Sequence, residues 1–154
     1  MLKKVLIANR GEIAVRIVRA CAEAGIRSVV GYTEPARPAL HVPRADEAYS
    51  LGEDPLAGYL DPLRLVNLAL ETGCDAIHPG YGFLSENAEF AQAVLDAGLV
   101  WVGPKPHSIT AMGLKDAAKK LMADAGVPVT PGYMGEEQSP GYLADEAEKI
   151  GYPV

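Results

Sequence analysis

Val5-Leu6-Ile7-Ala8-Asn9-Arg10-Gly11-Glu12 decides the architecture of this 154-residue chain. Val5 to Ala8 is an unbroken apolar run, too short for a helix and closed by Asn9-Arg10-Gly11. That is how a strand buried on both faces reads. Glu12 to Ala24 follows helical spacing, with Ile13, Ile17, Ala20 and Ala24 among its apolar positions, and stops at Gly25, where positive φ is wanted. Ile26 to Gly31 resumes as a second buried run. The three pieces make a β–α–β unit of about thirty residues.

The same punctuation recurs at Thr72-Gly73-Cys74, Ala97-Gly98-Leu99, Ala125-Gly126-Val127 and Ile150-Gly151-Tyr152: helix, glycine, apolar start of a strand. It predicts an α/β fold, a doubly wound and mostly parallel sheet with right-handed crossovers. Between these marks lie a weaker strand at Glu47 to Leu51 and a helix from Asp61-Pro62 to Thr72, with proline at the first helical position. A short strand at Asp75 to Ile77, a helix from Asn87 to Ala97 and an apolar run at Leu99 to Val102 follow. Gly103-Pro104-Lys105-Pro106 interrupts regular structure and sets a domain edge. Residues 1–103 are expected to form the α/β domain. Residues 104–154 are read as a linker and the incomplete start of another domain: a helix around Lys115 to Ala125, an extended Val127 to Pro131, a polar turn at Gly135 to Gly141, and a helix to Ile150. Tyr152-Pro153-Val154 reads as the first residues of a strand, so the chain reads as truncated there.

Composition narrows the function classes. The net charge of −6 argues against a nucleic-acid footprint, which needs clustered excess Lys and Arg. With 49% hydrophobic and 22% charged residues, the chain has the make-up of a globular domain. No apolar run approaches a membrane span, and Arg10, Glu12, Arg16 and Arg19 interrupt any signal-peptide core. Cys21 and Cys74 sit in apolar patterns and make neither a metal spacing nor a disulfide framework. The cytoplasm is the expected compartment.

The chemistry concentrates in His78-Pro79-Gly80-Tyr81-Gly82-Phe83-Leu84-Ser85-Glu86-Asn87. A connector between strand and helix needs only a few residues, so this one is long. Its glycines permit positive φ and close approach to the backbone. Ser85 is the expected cap of the following helix. In an α/β sheet such a loop lies at the carboxyl ends of the strands, where ligands bind; the plain alternative is a glycine-rich turn with structural duties only. Asn9-Arg10-Gly11-Glu12 occupies the place of a phosphate at a helix N-terminus, and Glu34 that of a ribose-binding acid. The dinucleotide fingerprint needs three spaced glycines, however, and one is present. Glu12, Arg16, Arg19 and Glu23 fall at i, i+4, i+7 and i+11, either a solvated face or a self-complementary contact surface. Lys115 opens a helix, where a cation opposes the macrodipole and hints at an anionic partner. His78 is either an acid–base group or a hydrogen-bonded part of the loop. No catalytic residue and no metal cluster is assigned. The residues alone reach an α/β domain with a ligand loop.

Taken together, Ile7-Ala8-Asn9-Arg10-Gly11-Glu12-Ile13-Ala14, then His78 to Asn87, then Gly103-Pro104 and Met112-Gly113-Leu114-Lys115, resemble the N-terminal part of biotin carboxylase. Lys149-Ile150-Gly151-Tyr152-Pro153-Val154 resembles the point where its ATP-grasp domain begins. The resemblance implies a Rossmann-like domain preceding an ATP-grasp domain. It also implies an enzyme that uses MgATP and bicarbonate to form carboxyphosphate and then carboxylates biotin on a carrier protein or domain, which passes the group to a carboxyltransferase. On this resemblance Lys115 contacts ATP, Tyr81 and Gly82 lie close to the biotin ureido group, and Arg16, Arg19 and Glu23 are homodimer contacts. The glycine-rich lid, the second ATP lysine, the Mg-binding glutamates and the groups acting on bicarbonate are expected outside these 154 residues, so the chain alone is expected not to carboxylate biotin. The alternatives are a stand-alone dimerisation or ligand-binding module and another ATP-grasp ligase.

Overall fold

The computed structural model describes residues 1–153. Val154, the last residue of the expected strand start, lies outside the described residues. The chain forms two compact units, one from Met1 to Ile109 and one from Thr110 onward.

The first unit is built on a five-stranded sheet. Its strands are β1 (Lys4–Ile7), β2 (Arg27–Tyr32), β3 (Glu47–Ser50), β4 (Ala76–His78) and β5 (Val100–Trp101). They lie in the order β3-β2-β1-β4-β5 and every pairing is parallel. Strand β1 is central because it is apolar on both faces. Leu6 and Ala8 face one core with Val29 and Ile77, while Val5 and Ile7 face the other with Val30 and Ala76. Helix α1 (Gly11–Glu23) covers the second face through Ala14, Ile17, Val18 and Cys21. Helices α3 (Pro62–Glu71) and α4 (Ala88–Asp96) cover the first through Leu65, Val66, Ala69, Phe90, Ala91 and Val94. The sheet is doubly wound, as the alternation predicts.

Two local readings change. Asn87, not Ser85, caps α4: its Oδ1 accepts from the Phe90 N–H at 2.8 Å, while the Ser85 N–H closes a turn on the Gly82 carbonyl at 3.0 Å. Gly103 to Lys105 does lie outside regular structure, but Pro106 belongs to the next element: helix α5 (Pro106–Gly113) starts on it, a position where the missing N–H costs nothing. The four-residue helix α2 (His41–Arg44) and the single turns at Glu34–Ala36 and Ala57–Leu60 are too short to show a period in the sequence.

The second unit holds α6 (Lys115–Asp124) and α7 (Pro140–Ile150). None of its described residues is buried. Val127 to Pro131 belongs to no helix or strand. Tyr133 and Tyr142 meet ring to ring at 5.3 Å, and Lys149 pairs with Glu146.

Candidate functional site

The order of the strands creates the site. The order in which strands are added reverses at β1, with β2 and β3 to one side and β4 and β5 to the other, and such a switch point leaves a crevice beyond the strand ends. The two segments that leave those ends are Asn9-Arg10-Gly11-Glu12 and the glycine loop from His78. Register brings them side by side: Ile7 pairs with His78, and the Ala8 N–H donates to the His78 carbonyl at 2.9 Å.

Asn9 is the residue this juxtaposition buries, at 1% exposure. Its Nδ2 donates to the carbonyls of Pro79 at 2.8 Å and Tyr81 at 2.9 Å, and its Oδ1 accepts from the Arg10 N–H at 2.9 Å. Arg10 spreads its guanidinium over two rings, 5.7 Å from Tyr59 and 5.6 Å from Phe83, which stack on each other at 5.6 Å. Glu12 accepts a hydrogen bond from the Tyr81 hydroxyl, and that carboxylate pushes the phenol above its ordinary pKa.

Within the loop, the Gly80 N–H donates to His78 Nδ1 at 3.0 Å. An accepting Nδ1 requires a neutral ring with its proton on Nε2, and burial lowers the His78 pKa in the same sense. His78 is therefore the hydrogen-bonded part of the loop, not a proton donor poised at neutral pH. Tyr81 is 60% exposed. Gly82 has φ +69° and open space where a side chain would be, and its N–H has no partner among the described residues. Tyr81 and Ile13 line two adjoining hollows, one of about 400 Å³ that is almost wholly apolar and one of about 180 Å³ that Gly82 and Phe83 complete.

Glu34 is committed elsewhere. It chelates Arg37 and accepts from Ser50 Oγ at 2.6 Å, and these partners, Arg37 first, hold its carboxyl below the usual range. Arg16, Arg19 and Glu23 lie exposed along α1 and carry no ion pair among the described residues. Lys115 is the first residue of α6, exposed and equally unpaired.

Sequence reading offered Asn9 and Arg10 as part of a phosphate turn and missed that Asn9 grips the glycine loop and that Arg10 lies over two rings. A polar residue directly after a strand that is apolar on both faces was the available signal, since such a residue is drawn into the sheet's buried end. It also missed His41, which is 1% exposed with neither ring nitrogen in hydrogen-bonding geometry. Burial holds its pKa down, only partly offset by the nearby Gly31 carbonyl.

A parallel sheet with two loops locked together at its switch point defines a doubly wound α/β domain. The chain belongs to the biotin carboxylase N-terminal domain family, which it matches over residues 1–109. It is 50% identical over 157 residues to biotin carboxylase 1 of Bacillus subtilis (strain 168), covering 100% of this chain and 34% of that protein. It is 53% identical over 154 residues to the mitochondrial methylcrotonoyl-CoA carboxylase subunit alpha of Oryza sativa subsp. japonica, covering 99% of this chain and 21% of that protein. Among solved structures it is similar to the biotin carboxylase domain dimer of Hydrogenobacter thermophilus 2-oxoglutarate carboxylase, in complex with MgADP, ADP and bicarbonate. That likeness has a TM-score of 0.92 at 50% identity and covers 99% of this chain and 34% of the other. The chain thus spans between 21% and 34% of the length of these relatives. They do not favour the stand-alone module or another ATP-grasp ligase. Among the described residues no helix is long and apolar enough to cross a membrane.

Proposed function

We propose that this chain acts as the N-terminal portion of a biotin carboxylase, an ATP-dependent ligase that carboxylates carrier-bound biotin from MgATP and bicarbonate through carboxyphosphate. One observation carries the reading: the exposed Gly82 of the glycine loop offers an N–H that has no partner among the described residues, beside the exposed Tyr81 ring. A cyclic urea is a flat ring with an acceptor oxygen, and a backbone donor next to an aromatic face is a matching surface. Tyr81 and Gly82 are therefore the proposed biotin contacts.

Lys115 is the proposed ATP contact, an unpaired ammonium that acts on phosphate as a point charge. In this reading the Mg ligands and the catalytic groups lie outside these 154 residues. Residues 1–103 are the proposed α/β domain, and 104–154 the linker and beginning of an ATP-grasp domain. The carrier and the carboxyltransferase are the proposed partners, and the cytoplasm the proposed compartment, consistent with the free thiols of Cys21 and Cys74.

A chimera tests this. This chain, put in place of the matching third of Bacillus subtilis biotin carboxylase 1, is expected to give an enzyme that carboxylates biotin with bicarbonate-dependent ATP turnover. Lys115→Ala in that chimera is expected to raise KM for ATP about tenfold, the loss of about 1.4 kcal/mol. A folded chimera without carboxylation would overturn the proposal. The 154-residue chain alone is expected to show no bicarbonate-dependent ATP turnover.

Arg16, Arg19 and Glu23 are the proposed homodimer contacts, since arginines beside an acid on one exposed stripe can pair across a twofold axis. In sedimentation velocity, Arg19→Glu is expected to move the chimera from dimer toward monomer. An unchanged distribution would count against the interface.

A further inference from the structure

We propose that Asn9-Arg10-Gly11-Glu12 is a clamp dedicated to the glycine loop, and that Asn9 is the positioning residue that aims the Gly82 N–H. The proposal rests on the reading of Gly82 as the donor to the biotin ureido oxygen and adds what sets that donor's direction.

The argument turns on one peptide plane. The Tyr81 carbonyl and the Gly82 N–H belong to the same peptide unit, which is planar and trans, so the two bonds point in opposite directions. Asn9 Nδ2 holds the Tyr81 oxygen at 2.9 Å from the buried side of the loop. The Gly82 N–H must then point away from Asn9 and its buried grip, at a residue that is itself exposed. The same Nδ2 holds the Pro79 oxygen at 2.8 Å. One amide group thus grips the carbonyls on either side of Gly80 and curls the chain around it. The Arg10 N–H on Oδ1 fixes which way the amide faces, because the reversed amide would set its oxygen against both carbonyls.

Two further grips come from the same turn. Arg10 lies over the Phe83 ring, and Phe83 is the non-glycine residue held at positive φ, +44°. That backbone is costly for a side-chain-bearing residue, and the stack of Arg10, Phe83 and Tyr59 opposes its relaxation. Glu12 holds the Tyr81 hydroxyl. Successive residues of the turn therefore hold the loop at its backbone, at Phe83 and at Tyr81. These commitments also displace the phosphate reading of the turn: Asn9 and Glu12 face the loop, and the Glu12 carboxylate already lies in the first turn of α1.

Asn9→Asp keeps the shape and replaces the donor with a carboxylate facing two carbonyls. In NMR of the 154-residue chain, the Gly82 N–H residual dipolar coupling is expected to change, and the Gly80 N–H to exchange with solvent about tenfold faster or more. Core amides such as Leu6 and Val29 are expected to keep their protection. Lowering the pH to protonate the introduced carboxyl restores one donor and should return the Gly82 coupling toward its wild-type value. His78, Arg10, Glu12, Arg16, Tyr81 and Glu86 are the other charged or titratable groups around the loop, and the pH response of the wild type is read as the control. An unchanged Gly82 coupling in folded Asn9→Asp, or a changed one that protonation does not reverse, would overturn the clamp. Should Asn9→Asp fail to fold, the exposed Arg10→Leu decides the matter: shifted Tyr81–Phe83 amides support the clamp, and unshifted ones overturn it. Free biotin titrated into the wild type separates the two readings. If it leaves the Gly82 amide unmoved, the ligand assignment falls while the couplings still decide the clamp.

Discussion

Phe90→Ala is expected to cost about 3–5 kcal/mol of folding stability. Phe90 is fully buried on α4 and meets Trp101 of β5 edge to face, with centroids 5.4 Å apart and planes at 85°. Trp101 is itself tied down by its indole N–H on the Pro104 carbonyl at 3.1 Å, so it cannot swing to fill the gap. The substitution removes a whole ring from between a helix and the last strand of the sheet, and the cavity term adds to the lost transfer energy. Against a typical total of about 5–15 kcal/mol for a domain, the loss is roughly a fifth or more. Urea unfolding checks it, with Leu95→Ala as the control. Leu95 lies on the same helix but is 42% exposed, so its truncation is expected to cost well under half as much. Equal shifts for the two would mean that the face of α4 assigned to the core is wrong.

What the sequence made legible follows one physical distinction. Val5 to Ala8 and Ile26 to Gly31 announced themselves because a strand buried on both faces has no polar position to spare. Glycines such as Gly25, Gly73 and Gly98 marked helix ends because each adopts the positive φ that the turn demands. Both signals are local, and both survive without knowledge of the partner. The site is a different matter. Glycine content marked Gly80 and Gly82 as special, yet nothing local says that Asn9, about seventy positions earlier in the chain, grips the carbonyls around Gly80. That contact exists only because β1 and β4 are neighbours in the sheet. The capping residue of α4 was misplaced for a related reason. Ser85 and Asn87 are both competent caps, and the choice between them depends on where the loop, held by the clamp, delivers the chain to the helix. Likewise Glu12 looked like one member of a charged stripe, whereas the loop turns it toward Tyr81.

Gly80→Ala is expected to destabilise the first unit substantially and to do so through the site. Two costs combine. At φ +67° a side-chain-bearing residue is strained, by about 1–2 kcal/mol. The added methyl would also lie 2.6 Å from Ile13 Cγ2 and 2.9 Å from Asn9 Nδ2, and overpacking of this kind typically costs a further 1–3 kcal/mol. Gly82→Ala is the internal control, because its φ of +69° is nearly the same but nothing lies within 4 Å of the new methyl. It should show the backbone cost alone. The difference in unfolding free energy between the two variants therefore isolates the contact with Asn9 and Ile13. Where the loop gives, it lifts away from the turn, which lengthens the Asn9 bonds to Pro79 and Tyr81 and rotates the peptide that carries the Gly82 N–H. In the chimeric enzyme, Gly80→Ala should accordingly raise KM for biotin while leaving KM for ATP near its original value. Equal stability losses at Gly80 and Gly82 would show that the turn and the loop do not press on each other as the structure describes. A rise in both KM values would point to general loosening of the domain instead of a displaced donor.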